Sequence, residues 1–67
     1  MIESYIVNGK EFINEYLYDI DKAGIHSYRY RTKAPGHLLE KVIRKKKENP
    51  EKFAKSQIQR FIFAINQ

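Results

Sequence analysis

Apolar residues fall into clusters along the chain, and the spacing within each cluster predicts an element. Ser4-Tyr5-Ile6-Val7 has the aromatic and β-branched content of a short strand. Asn8 with Glu11 reads as a capping box, and Phe12, Tyr16, Leu17, Ile20 and Ala23 then trace one helical stripe. This predicts a helix from about Gly9 to Lys22, ended by Gly24. From His26 to Lys33 a strict alternation places Tyr28, Tyr30 and Thr32 on one face of an extended strand and Arg29, Arg31 and Lys33 on the other. Beyond Pro35-Gly36, Leu38, Leu39, Val42 and Ile43 form a second amphipathic stripe, predicting a helix from Pro35 to about Lys47. Asn49-Pro50-Glu51 signals a further helix, with Asn49 as N-cap and Pro50 at the first helical position. The C-terminal stripe of Ala54, Ile58, Phe61, Ile62 and Ile65 fits a helix, while Arg60 to Ile65 is equally a short buried strand able to pair with the Tyr-Arg strand. The expected fold is a small single α+β domain over residues 1–67, with two to three helices and a short two- or three-stranded sheet. An all-α three-helix bundle is the alternative.

Length narrows the functional classes. A chain of 67 residues has room for one small core and no active site enclosed between lobes. With 42% hydrophobic residues, five Tyr and four Phe, it lies outside the disordered regime despite 31% charged residues. Absence of cysteine removes disulfides and thiolate sites, and two histidines alone do not make a structural zinc site. A cytoplasmic location with no membrane span is the expectation. Glycine-rich nucleotide loops, His-Glu-x-x-His and Cys-x-x-Cys are absent. Glu11 with Glu15, or Glu15 with Asp19, reads as a helix's polar face; His26 and His37 have no nucleophile pattern nearby, and His37, near a helix start, reads as a surface residue or partial cap. No catalytic residue is assigned.

Charge is strongly partitioned. Residues 1–25 carry Lys10 and Lys22 against Glu3, Glu11, Glu15, Asp19 and Asp21, a net −3. Residues 26–47 carry Arg29, Arg31, Lys33, Lys41, Arg44, Lys45, Lys46 and Lys47 against Glu40 alone, a net +7, and the remainder is +1. Such a basic middle calls for a phosphate-rich or acidic partner, the plainer reading being a solvated face. Arg31 and Lys33 on a strand end, free N–H groups at the start of the following helix, and Lys41 on that helix would together suit a polyphosphate. Arg29 and Lys45 extend the set, and Arg44, Lys46 and Lys47 form a basic patch for a partner.

The run Arg31-Thr32-Lys33-Ala34-Pro35, continuing through Leu38-Leu39-Glu40-Lys41 to Val42-Ile43-Arg44-Lys45, resembles the opening of RelA/SpoT-type alarmone synthetase domains and their small toxin-like relatives. That resemblance implies a mixed sheet flanked by helices and magnesium-dependent pyrophosphate transfer from ATP. It also implies that Arg31, Lys33 and Lys41 hold ATP phosphates. His37 stands where the family usually has Ser, and no aspartate follows Asp21 to ligate magnesium. Phosphoryl transfer depends on metal and positioned charge, so the resemblance implies a non-catalytic nucleotide- or phosphate-binding domain. No cofactor is expected to belong to the chain, and magnesium would enter only with a bound nucleotide. Two further readings stand beside it. One is a small inhibitor or regulator, of mobile-element or phage type, that binds an acidic or nucleic-acid-binding protein through its basic face. The other is a module that binds nucleic acid directly. A homodimer is compatible with all three.

Overall fold

Three turns decide the chain's course. Asn8 and Gly9 both take positive φ, 51° and 75°, the signature of the tight turn whose twist matches a β-hairpin. Asp21 Oδ1 accepts the N–H groups of Ala23 and Ile25, and Gly24 follows at φ 78°. Pro35 and Gly36, the latter at φ 75°, join the directly paired residues Ala34 and His37. The computed structural model, which describes residues 1–46 and 48–67, accordingly begins with four strands, β1 (Ile2–Val7), β2 (Lys10–Ile20), β3 (Ile25–Ala34) and β4 (His37–Lys46). They form an antiparallel meander in the order β1-β2-β3-β4, and the helix α1 (Glu51–Ile65) follows.

The strands expected at Ser4–Val7 and His26–Lys33 are present, as is the helix starting after Asn49-Pro50. Asn49 Oδ1 accepts the Glu51 N–H at 2.8 Å, but the N-cap position falls on Pro50, one residue later than expected, with no side-chain cap. The remaining expectations are corrected. Gly9 to Lys22 is not a helix but the turn into β2 and β2 itself, and Pro35 to Lys46 is a turn and β4. Lys47 lies outside the described residues. Arg60 to Ile65 belongs to α1, so the strand reading of that segment fails. A four-stranded sheet with one helix among the described residues replaces both the two- to three-helix domain and the three-helix bundle.

A spacing of four explains these corrections. Phe12, Tyr16 and Ile20 share a face in a helix, but four is also an even number, so they equally share a face in a strand. The same holds for Leu39 with Ile43 and for Leu38 with Val42. On the face of the sheet turned toward α1, β2 contributes Phe12, Asn14, Tyr16 and Tyr18, a period-two series interrupted only by a polar Asn14. Aromatic and β-branched residues favour that pleated surface.

Phe12, Tyr28 and Tyr30 of the sheet meet Ala54, Ile58 and Ile62 of α1 in the core. Full burial of a large apolar side chain contributes on the order of 1.5–3 kcal/mol. These few residues, with Tyr5, Tyr16, Leu39, Ile43 and Phe61 packed around them, supply most of the driving force. Edge-to-face contact of Phe12 with Phe61 locks helix to sheet, and stacking of Tyr16 on Tyr28 ties β2 to β3 on the covered face. Lys10 Nζ donates to the Ile65 carbonyl at 3.0 Å, holding the helix end against the start of β2. The molecule is elongated, 42 × 19 × 15 Å, and α1 covers a single face of the sheet. No helix among the described residues is long and apolar enough to cross a membrane.

Candidate functional site

Directly paired residues of an antiparallel sheet share a face, so register assigns every cation of residues 26–46 to a side. Tyr28, Tyr30 and Thr32 are buried beneath α1, which turns Arg29, Arg31 and Lys33 to the opposite, open face. Arg44 and Lys46 pair with Ser27 and Ile25 and stand on that open face too. Lys41 pairs with Tyr30 and Lys45 with His26, placing both on the helix side. Lys45 Nζ lies 5.0 Å from the centre of the Phe53 ring on α1, a cation–π contact that fixes its side. The five cations expected to close on one phosphate group are therefore divided, three on one face and two on the other. The helix N-terminus expected beside Arg31 and Lys33 does not exist there, because the segment after Gly36 is β4.

Neighbours set what each cation can do. Arg31 Nε donates to Glu40 Oε1 at 2.6 Å, and Glu15 stands opposite it in register on the other side. Arg29 lies between Leu17 and Val42, and Lys33 between Ile13 and Leu38. Ile2, Glu15, Leu17, Arg29, Arg31 and Val42 line a shallow hollow on this face. The edge strand β4 differs. Lys41 and Lys45 project on its helix side and Arg44 and Lys46 on its open side, so its outer edge is cationic above and below. Glu40 is the strand's sole acid. Of the basic patch expected from the sequence, Arg44 and Lys46 lie on this edge and Lys47 is outside the described residues.

Groups with acid–base potential are scattered. Tyr18 Oη and His26 Nδ1 are 2.5 Å apart at the end of the sheet, and His37 Nδ1 approaches the Pro35 carbonyl at 3.0 Å. Burial, with the Tyr16 hydroxyl and Glu51 nearby, pushes the Tyr28 hydroxyl well above the usual tyrosine range, and burial raises Tyr30. These shifts hold both phenols neutral, as core residues, and poise neither for proton transfer near neutrality. Among the described residues no three His, Asp or Glu side chains gather as a metal-ligand set. Sequence reasoning missed the exposed aliphatics of the open face, since Leu38 and Val42 counted toward a helix core although they are 54% and 51% exposed. No protein-family model, curated protein or solved structure matches the chain.

Proposed function

We propose that the protein is a non-catalytic module that binds an extended polyanion, a nucleic-acid phosphate backbone, along the β4 edge. The observation that carries this reading is the alternation of Lys41, Arg44, Lys45 and Lys46, which places cations on both sides of one exposed edge. A compact nucleotide polyphosphate cannot reach both sides of a sheet, whereas a phosphate chain lying against the edge meets both. Cations on an edge strand also deter sheet-to-sheet aggregation, the plainer role of the same residues.

Fluorescence anisotropy with a labelled 20-base-pair duplex, alongside ATP, separates these roles. If four cations neutralise phosphates, log K falls with log salt with a slope of about −3 to −4. The double variants Lys41→Ala/Lys45→Ala and Arg44→Ala/Lys46→Ala each flatten that slope by about two, whatever the duplex sequence. Salt-independent duplex binding would overturn this reading, and tight ATP binding lost on replacing Arg31 and Lys33 would return the site to a compact phosphate. The inhibitor or regulator reading draws on the open face instead, where aliphatic side chains among arginines match the composition of protein interfaces.

A further inference from the structure

The face of the sheet turned away from α1 carries Ile2, Ile6, Leu17, Leu38 and Val42, each at least half exposed. An apolar surface of this extent on so small a protein marks a contact site. Its charges are arranged in columns. Glu11, Glu15 and Asp19 run down the open side of β2, and Arg29, Arg31 and Lys33 run down the open side of the adjacent β3. We propose that this face binds a second copy of the same chain, forming a twofold dimer with the two sheets stacked and the helices outside.

Self-complementarity follows from the columns. A twofold axis lying between the sheets, parallel to the strands and midway between β2 and β3, carries the β2 of one protomer over the β3 of the other. Glu15 then faces the partner's Arg31, while Leu17 and Ile13 lie over the partner's Arg29 and Lys33 and Asp19 over its Ser27. Glu15 and Arg31, directly paired within one chain, also come level with their counterparts across the interface. Leu17, Ile13 and Val42 fill the space between these charges, and Arg29, set between Leu17 and Val42, contributes its aliphatic stem. Three strands of about ten residues, at ~3.4 Å per residue and ~4.8 Å between strands, offer roughly 500 Å² of plain area per protomer. With β1 and side-chain relief added, the total is on the order of 1,200 Å², the lower end for a stable specific interface. Lys41 and Lys45, on the helix side of β4, stay outside the stack, and Arg44 and Lys46, level with Ser27 and Ile25, lie beyond the end of the partner's β1.

Sedimentation equilibrium of the full chain tests this directly, and dimerisation at micromolar to sub-millimolar protein is expected. Glu15→Arg and Arg31→Glu each set like charges across the twofold and yield monomers, with unchanged far-UV circular dichroism. Mixing the two variants in equal amounts restores a dimer, because each then meets its opposite charge in the other chain. Repair within one chain cannot produce that result. A wild-type chain that stays monomeric at sub-millimolar concentration overturns the proposal, as do folded single variants that dimerise like wild type or a mixture that stays monomeric. Should either charge variant unfold, Leu17→Lys replaces it, and a folded Leu17→Lys that dimerises normally is equally decisive against the stack.

Discussion

Thr32 Oγ1 donates a hydrogen bond of 2.6 Å to Asn14 Oδ1 across β3 and β2, and both residues are almost fully buried beneath α1. They are directly opposed in register and form a buried polar link between β2 and β3 in the sheet face that packs on α1. Removing one partner of such a pair leaves the other buried and unsatisfied, at a cost of about 1–3 kcal/mol. Thr32→Val, nearly identical in shape, should therefore lower the unfolding free energy obtained from urea titration by that amount. Thr32→Val/Asn14→Leu should cost less than the sum of its single changes. Strict additivity would mean that the bond contributes nothing.

Tyr28 and Tyr30 make opposite predictions. Both rings are buried, but Tyr30 Oη donates to Gln57 Oε1 at 2.8 Å, whereas the buried Tyr28 hydroxyl has no hydrogen-bond partner. Tyr30→Phe removes a bond contributing about 0.5–1.5 kcal/mol and also strands the Gln57 acceptor. Tyr28→Phe deletes an unsatisfied hydroxyl, so stability is unchanged or rises by up to about 1 kcal/mol. Thermal melts of the two variants should move in opposite directions or, at the least, differ by several degrees, roughly 4–8 °C per kcal/mol for a domain of this size.

The same hydroxyls set the alkaline limit. Tyr5, Tyr16, Tyr28 and Tyr30 all ionise above the ordinary value of 10.0 in the folded protein, chiefly because burial disfavours the phenolate. A group whose folded value is raised keeps its proton while the unfolded chain loses it, so stability is full below pH 10 and falls as pH rises beyond it. Unfolding free energy measured from pH 8 to 11.5 should be flat and then decline. Tyr28→Phe, which removes the most strongly shifted hydroxyl, should flatten the decline. An alkaline limb identical to wild type would mean that this phenol is already solvated in the fold.

How much of this fold is legible in the sequence depends on what occupies position i+2. On β3 the alternation of Tyr28, Tyr30 and Thr32 with Arg29, Arg31 and Lys33 declares both the strand and its two faces, and the structure places every one of them accordingly. On β2 the buried Asn14 breaks the apolar alternation, leaving Phe12, Tyr16 and Ile20 at a spacing of four that suits a helix as well. On β4 Lys41 plays the same part between Leu39 and Ile43. The cationic content of the candidate site was visible from the start, but its geometry was not. Once β4 replaced the expected helix, Lys41 and Lys45 moved to the side opposite Arg29, Arg31 and Lys33. The acid column beside the basic one has no local signature, because it arises only from the pairing of β2 with β3.

Asn8-Gly9 is where the two readings of the N-terminal half give opposite signs. As the start of a capped helix, Gly9 would sit in a helical position, where alanine is favoured over glycine by about 1 kcal/mol. In the structure Gly9 occupies the left-handed region at φ 75°, which a β-carbon makes costly by about 1–2 kcal/mol. An added β-carbon there meets no other atom within 4 Å, so the penalty is one of backbone conformation and not of packing. Gly9→Ala should therefore destabilise the protein, and Asn8→Ala, at φ 51°, should do so as well. Replacing Gly9 with D-alanine by chemical synthesis, which favours positive φ, should leave stability unchanged or raise it. Urea denaturation of the three proteins reads out the sign, and a gain in stability from Gly9→Ala would restore the helical reading of residues 9–22.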